Sequence, residues 1–470
     1  MKLRFLLVLA LVPSASNVFG AETPLPNILV TLADDCTYWD LACYGGQAKT
    51  PNLDRLCSQG MRLDRCFQAA PMCSPTRHCL YTGLYPVRSG AYPNHTKVYP
   101  GVRSIAHHLK DAGYRVALSG KTHINPPEAF PFEYSMKKSK GTNPDFQAMN
   151  ALMSECAASA TPMALFMCSN EPHTPYTHGD PSAYPPESLK LPPFFVDTPE
   201  TRKVYSRYLA EVTYYDSQVG RALRLLKKHG LADNTLVIVL TEQGNGFPFA
   251  KWTCYEMGLA SGMIVRWPGR VAPGSQSDAL VEYVDVVPTL LDIAGIAGEA
   301  DSGINGGSLD GMSFAGVLTG ETDRHKSHVF GLQTSRGIHN GPECFGIRSV
   351  RSDRYRYIRN LTPGGMFQNY VVRRDVWKSW RAVAETGDDH AKELVYRYQH
   401  RPAEELFDCQ ADPHNLTNLA DDPRLADVKS ELRAQLDAWM ASQGDEGQAT
   451  EMKARERQTR KIKKAVGSRQ

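Results

Sequence analysis

The chain has 470 residues, which is too long for one simple core and predicts a large and a small domain. Its 42% apolar and 22% charged residues are ordinary for a globular protein and exclude a fibrous or wholly disordered chain. A formal net charge of +3 is close to neutral, and we expect no nucleic-acid partner.

Residues 1–20 have the features of a secretory signal peptide. Two basic residues precede the apolar run Phe5–Val12, which is too short to span a bilayer, and the small residues Val18 and Gly20 permit cleavage before Ala21. The alternative is an uncleaved membrane anchor. We expect an exported protein (periplasmic, extracellular or lysosomal, depending on the host) without a transmembrane segment, because no later run approaches the ~18 apolar residues of a span.

The carboxyl end is strongly basic. Residues 451–470 hold eight Lys or Arg and two acids. The simplest prediction for residues 443–470 is a solvated tail, as disorder or a frayed helix. The alternative is a segment that grips an anionic polymer or a membrane.

The cysteine pattern excludes a zinc ribbon. Eleven cysteines are present, and none of their spacings is Cys-x-x-Cys. Export would permit disulfides. Because the count is odd, one cysteine is a candidate for chemical conversion.

Short apolar runs alternate with amphipathic helices through the first two thirds of the chain. The runs that predict buried strands are 27–32, 115–119, 164–168, 235–240 and 262–266, and the predicted helices cover 50–60, 101–113, 201–230 and 283–294. This alternation predicts the α/β class, with a doubly wound, mostly parallel sheet flanked by helices, over residues 21–330.

The pattern changes after residue 330. Residues 345–351 and 354–359 alternate like half-buried antiparallel strands, residues 404–408 form another short strand, and residues 422–440 are an amphipathic helix. We predict a smaller C-terminal α+β domain that carries an antiparallel sheet over residues 331–442.

Four predicted strands end in polar groups. These groups are Asp34 with Asp35, Lys121 with His123, His173, and Glu242 with Gln243. Parallel sheets collect their sites at the carboxyl edge. Adjacent carboxylates repel each other, which a hard cation relieves, and oxygen donors favour calcium or magnesium over zinc. The alternative for Asp34 and Asp35 is an N-cap aspartate beside a solvated one.

A cationic set accompanies these acids and indicates an anionic ligand, most simply a tetrahedral oxyanion. Its members are Arg77, Lys121, His123, His173 and Lys251. Cys73 precedes Ser74 and Pro75, which predict an N-cap and first helical turn, and a helix amino end favours anions. A thiolate nucleophile would fit that position, although hard metals do not prefer sulfur.

The segment Cys73-x-Pro75-x-Arg77, followed by Leu80 and Thr82-Gly83, resembles the sulfatase signature. The resemblance covers nearly the whole chain, through Asp34-Asp35, Gly120-Lys121-x-His123, Pro172-His173, Lys251 and the segment from Asp412-Pro413 to Asn418-Leu419. In that family the cysteine becomes formylglycine. The resemblance therefore implies a sulfatase that a formylglycine-generating or equivalent maturing enzyme modifies at Cys73.

The resemblance also implies roles for the site residues. Asp34, Asp35, Glu242, Gln243 and residue 73 would hold one calcium ion. The hydrated formylglycine would attack sulfur, with Arg77, Lys121 and Lys251 stabilising the sulfuryl oxygens, His173 protonating the leaving group and His123 assisting sulfate release. Glu242-Gln243 departs from the family's usual Asp followed by Asn or His, by one methylene at each position.

Within the family, the runs Gly113–His123 and Phe130–Tyr134 most resemble the heparan N-sulfatase branch. This implies a sulfated carbohydrate substrate, and Asn94, His95 and His339 are candidate sugar contacts, with ordinary polar loops as the alternative. Two rival functions remain. One is a phosphonate monoester or phosphodiester hydrolase with the same fold, and the other is a catalytically silent glycan-binding protein with unmodified Cys73.

Overall fold

A computed structural model describes residues 24–134, 143–304, 306–334 and 345–458. The predicted signal peptide, His339 and the last part of the basic tail lie outside the described residues. No helix among those described is long and apolar enough to cross a membrane.

The larger of the two β-sheets has nine strands. Its strands are β1 Asn27–Ala33, β2 Met61–Phe67, β3 Arg115–Gly120, β4 Glu133–Tyr134, β5 Met163–Cys168, β6 Thr235–Thr241, β7 Ala260–Arg266, β8 Ser275–Ser277 and β9 Val281–Glu282. The order is β4-β3-β5-β1-β6-β7-β2-β8, with β9 also paired to β2. β7 is antiparallel to β6 and β2, and the other pairings are parallel.

Helices cover both faces of this sheet. The helices of this part of the chain are α1 Pro51–Ser58, α2 Cys73–Thr82, α3 Pro86–Ser89, α4 Ile105–Asp111, α5 Phe146–Ser159, α6 Pro199–Lys228, α7 Glu256–Leu259, α8 Val286–Ile293 and α9 Ala315–Thr319. Alternate residues of β1 point to opposite layers: Leu29 packs with Leu209 of α6, whereas Ile28 and Val30 pack with Leu290 of α8. The predicted doubly wound sheet is confirmed.

The smaller β-sheet has four antiparallel strands. It consists of β10 Val329–Gln333, β11 Ile347–Arg351, β12 Tyr355–Asn360 and β13 Glu404–Asp408, in that order. The remaining helices are α10 Asp375–Glu385, α11 Asp389–Gln399, α12 Ala426–Gln443 and α13 Gln448–Arg457. Leu432 and Leu436 of α12 pack in the same cluster as Val350 and Leu406 of the sheet.

Several elements differ from the predicted set. β2 was not predicted, because Arg65 interrupts the alternation where the β2–β7 register shifts between Leu63 and Cys66. The helices α5, α10 and α11 were not predicted either. α10 and α11 form a helical hairpin. The buried Trp380 of α10 donates its indole N–H to the Thr201 hydroxyl of α6 at 2.8 Å.

The start of the basic tail differs from the expected solvated segment. Residues 448–457 form α13, with Thr450, Glu451 and Ala454 buried. Glu451 is fixed by the Arg348 guanidinium at 3.0 Å and by the Thr334 hydroxyl at 3.0 Å. The charge composition does not reveal that Glu451 is buried and paired with Arg348. This part of the tail therefore packs as a helix against the protein.

Candidate active site

The carboxyl edge of the large sheet gathers the predicted site residues. β1 leads to Asp34 and Asp35, β3 to Lys121, β6 to Glu242, and β2 to the turn before Cys73. The side chains of all but Lys121 are almost wholly buried. Parallel strands that end at one edge place these distant sequence positions together.

Cys73 lies at the centre of the group. Its Sγ is 3.0 Å from Nε2 of Gln243, 3.5 Å from Nζ of Lys251, 3.9 Å from Oδ1 of Asp35 and 4.0 Å from Nζ of Lys121. Residue 73 is therefore surrounded by two cations, an amide and a carboxylate.

The helix start differs from the prediction. α2 begins at Cys73 with Met72 as N-cap, so Cys73 is in the first turn. Ser74 does not cap the helix. Its hydroxyl donates instead to the backbone carbonyl of His123 at 3.0 Å, which ties the Lys121–His123 segment to α2.

The Cys73 thiol keeps its proton at neutral pH. Burial, together with the nearby Asp34 carboxylate, raises the pKa of Cys73 to about 12, although Lys121 and Lys251 oppose the shift. A nucleophilic thiol needs a lowered pKa. The structure therefore argues against the thiolate alternative.

Asp34, Asp35 and Glu242 each face a cation. Lys121 forms a short hydrogen bond with Asp34, Lys251 lies 2.6 Å from Asp35, and the Arg77 guanidinium binds both carboxylate oxygens of Glu242. Burial opposes ionisation of Asp34, but Lys121, His173 and Arg77 hold its pKa well below the ordinary value. Pairing of this kind is what buried charges require.

Two oxygens in this group fit a cation. Oδ1 of Asp34 and Oε1 of Gln243 are buried and have no hydrogen-bond partner among the described residues. One donor atom each from Asp34, Cys73 and His173 also lie within 4.8 Å of one another. The donor set is rich in oxygen, as calcium prefers. Glu242 differs, because both its oxygens accept from Arg77.

Strained backbone is concentrated at the same place. Asp35, His95, His123 and Gln243 have positive φ values of 58°, 54°, 55° and 35°. Left-handed conformations of non-glycine residues are costly and persist where the surroundings enforce them, often at functional sites.

Three histidines lie at this edge. His173 donates from Nδ1 to the carbonyl of Thr174 at 2.6 Å, which leaves Nε2 free to face Oδ2 of Asp35 at 3.5 Å. Nε2 of His123 is 2.8 Å from Nδ1 of His95. Burial and Lys121 hold the pKa of His123 well below its ordinary value, so this ring is neutral.

Of the predicted sugar contacts, the structure brings His95 to the site and His339 lies outside the described residues. The Asn94 side chain is buried, and its backbone carbonyl accepts from Nε2 of Gln458 at 3.1 Å. The His173 side chain is 31% exposed, compared with 12% for Lys121 and 7% for Lys251. His173 therefore lies on a more open side of the site than the two lysines.

Sequence reasoning missed Glu211, which is fully buried on α6 and bonds to the segment that carries His173. The available signal was an acid at position 211 between the apolar residues Leu209 and Val212. An ionisable side chain on the buried face of an amphipathic helix requires a partner.

Two family models match the chain. The one described as Sulfatase matches residues 26–296, and the one described as N-sulphoglucosamine sulphohydrolase, C-terminal, matches residues 244–378. An ulvan-active sulfatase of Formosa agariphila is 31% identical, covering 91% of this chain and 82% of that protein. Human N-sulphoglucosamine sulphohydrolase is 28% identical, covering 88% and 89%.

A solved structure shares the fold. BT4656, in complex with its substrate D-glucosamine-2-N,6-O-disulfate, superposes with a TM-score of 0.66 over 90% of this chain and 99% of that one, at 17% identity. At this identity the likeness shows the fold alone.

Proposed function

Because the chain belongs to the sulfatase family and is a sulfuric ester hydrolase, we propose that its substrate is a sulfated glycan, cleaved at a sulfate ester or a sulfamate. The observation that carries the proposal is the arrangement around residue 73, where Lys121 and Lys251 approach the same Sγ at 4.0 and 3.5 Å. A tetrahedral sulfate needs several cationic contacts at once. The relatives named for ulvan and for N-sulphoglucosamine support a glycan as its carrier.

Cys73 is the precursor of formylglycine in this proposal, and Asp34, Asp35, Glu242, Gln243 and residue 73 are the calcium ligands. Formylglycine, once formed, supplies the oxygen nucleophile for sulfur, and calcium, when bound, withdraws charge from the sulfuryl oxygens. The free oxygens of Asp34 and Gln243 support the cation site. Glu242 would have to share its carboxylate between the cation and Arg77.

The side chains around residue 73 have separate roles in this proposal. Lys121 and Lys251 bind sulfuryl oxygens and stabilise the charge that develops on them. Arg77 acts through its pairing with Glu242 and its position 3.9 Å from Asp34. These cations are fixed before substrate arrives, so little reorganisation is needed.

His173 is the proposed proton donor to the leaving oxygen or nitrogen. Its Nδ1–H donates to the Thr174 carbonyl, so Nε2 is the nitrogen that faces the site. To donate from Nε2 the ring must be the imidazolium; burial lowers the pKa of His173 and disfavours that form, whereas the Asp35 carboxylate 3.5 Å away favours it. His123, held neutral, can accept a proton as sulfate is released.

Maturation and location complete the proposal. A formylglycine-generating or equivalent enzyme would convert Cys73. Export is supported by the signal-like residues 1–20 alone.

The test compares substrates on protein matured at residue 73. We expect release of inorganic sulfate from N-sulfated or O-sulfated glucosamine oligosaccharides or from ulvan fragments, and slow turnover of an aryl phosphodiester. A large preference for the phosphodiester would favour the rival hydrolase. Matured protein that binds sulfated glycan without turnover would favour the silent glycan-binding alternative.

A further inference from the structure

Two buried glutamates fix the segment that carries His173. This segment, residues 169–178, follows β5 and is called the His173 segment below. Glu211 on α6 is 0% exposed and accepts the backbone N–H of His178 at 2.7 Å and that of Thr177 in a short hydrogen bond. The long helix therefore holds the far end of the segment.

Glu171 holds the near end. Its side chain is buried, and Oε1 accepts from Nδ2 of Asn143 at 2.8 Å and lies 3.5 Å from Nε2 of His178. Its backbone carbonyl accepts the N–H of Asp34 at 3.0 Å. The segment is thus bonded directly to Asp34, the residue that follows β1.

The charge of Glu211 follows from its surroundings. Its Oε2 is buried and has no hydrogen-bond partner among the described residues, which disfavours a charged carboxylate. Burial, with the nearby Glu171 carboxyl group adding to it, raises the pKa of Glu211 to about 9. Glu211 is therefore neutral at pH 7.

We propose that Glu211 is a positioning residue for His173. Its Oε1 accepts two backbone amides and holds the far end of the His173 segment on α6, while the backbone of Glu171 holds the near end against Asp34. His173 is thereby held with Nε2 facing Asp35. This inference rests on the proposed role of His173 as proton donor, and Glu211 itself does not touch the reacting atoms.

Two substitutions separate the proposed role from simple packing. Glu211→Gln keeps an acceptor oxygen for the two backbone amides and carries no charge, so it reproduces the neutral acid. Glu211→Leu has a similar volume and removes the acceptor oxygen. Asp216→Leu is the matched control, because Asp216 is also buried on α6 and accepts amides, but those of Asn52 and Leu53 at the start of α1.

The first measurement is hydrogen exchange of full-length matured protein. We expect the amides of Thr177 and His178 to exchange at least ~10-fold faster in Glu211→Leu, because they lose their acceptor, and at the wild-type rate in Glu211→Gln. Asp216→Leu should leave these amides unchanged. Unchanged protection in Glu211→Leu would overturn the proposal, whatever the enzyme's activity.

The second measurement compares leaving groups. A displaced proton donor should reduce kcat on a glycan sulfate by ~10²-fold, with a much smaller loss on 4-nitrophenyl sulfate, whose leaving group needs no proton. Glu211→Gln should restore both rates to within about threefold. Equal losses on the two substrates in Glu211→Leu would overturn the positioning role. Wild-type protein that turns over neither substrate would overturn the proposed function instead.

Discussion

Lys121 and Lys251 reach Cys73 from the loops that follow β3 and β6, and each is also paired with one acid of the Asp34–Asp35 pair. Because each lysine neutralises one aspartate as well as contacting Cys73, the charged side chains can be buried together. The charges nearly cancel, while Oδ1 of Asp34 and Oε1 of Gln243 stay without a partner among the described residues. The free oxygens are what a cation would bind.

Calcium should therefore stabilise the protein through Asp34. We expect calcium added to chelator-treated protein to raise the melting temperature, with ~2.7 kcal/mol gained at a hundredfold excess over Kd. Asp34→Asn should abolish the response in calorimetry and in thermal unfolding. Asp40→Asn is the control, since Asp40 is a buried acid that bonds to Tyr205 instead. An equal calcium response in Asp34→Asn would contradict the assignment.

A second residue-scale prediction concerns His78, which is buried with ring nitrogens 2.6 Å from the carbonyl of Ser74 and 3.1 Å from that of Asn125. Burial lowers the pKa of His78 to about 4 from 6.5. In the unfolded chain His78 therefore becomes protonated below about pH 6.5, whereas in the folded protein it stays neutral down to about pH 4.

The free energy of unfolding should consequently fall as pH drops through that window, with His78 responsible for about 2 kcal/mol at pH 5. Chemical unfolding at pH 7 and pH 5 measures the loss, and His78→Gln should show less of it. If the variant and the wild type lose the same free energy, His78 is not the source.

At the scale of the element, the strand-to-loop junctions set the site. Gly120 ends β3 with φ +100°, and a Cβ there would lie 2.0 Å from the carbonyl oxygen of Cys168. The same carbonyl accepts the N–H of Lys121 at 2.9 Å. Glycine at this junction lets the chain turn so that Lys121 enters the site.

Gly120→Ala should therefore destabilise the protein by more than the strain of a positive φ alone, because the added Cβ would clash with the Cys168 carbonyl oxygen. We expect a loss of at least ~3 kcal/mol of unfolding free energy, with a large loss of activity because Lys121 is displaced. Gly113→Ala is the control, because Gly113 has φ +86° but no atom within 4 Å of its Cβ position. That variant should lose only about 1 kcal/mol and keep its activity, and similar losses in both variants would refute the steric argument.

The elements also show how far sequence reasoning reaches. The strands β1, β3, β5 and β6 are predicted within two residues because buried parallel strands are continuous apolar runs. The polar residues at their ends come together because parallel topology fixes that edge. The pairing of Glu242 with Arg77, and of Glu171 with Glu211, could not be predicted, since each joins residues that only tertiary packing makes neighbours.

At the scale of the whole molecule, the C-terminal helix α13 supports the edge of the site. Arg457 donates to the carbonyls of Gly90 at 2.9 Å and Lys97 at 2.8 Å, and Gln458 donates to that of Asn94. The loop between these residues contains His95, which contacts His123. The last described residues of the chain therefore brace a loop at the active site.

Arg457→Ala should loosen this loop and reduce kcat/KM on a glycan sulfate several-fold, with little change in melting temperature because the helix stays anchored by Glu451. Arg455→Ala, an exposed change on the same helix, should leave kcat/KM unaltered. Equal kinetics in the two variants would show that the brace has no part in substrate binding.

The central claim is that Cys73 is the precursor of the nucleophile, and mass spectrometry of native protein tests it most directly. After alkylation, tryptic cleavage behind Arg65 and Arg77 releases the peptide 66–77, in which Cys66 is an internal control for a free thiol. We predict one alkylated cysteine, at position 66, and an aldehyde at position 73 that reacts with a hydrazide. Two alkylated cysteines in all copies of the peptide from catalytically active protein would contradict the account.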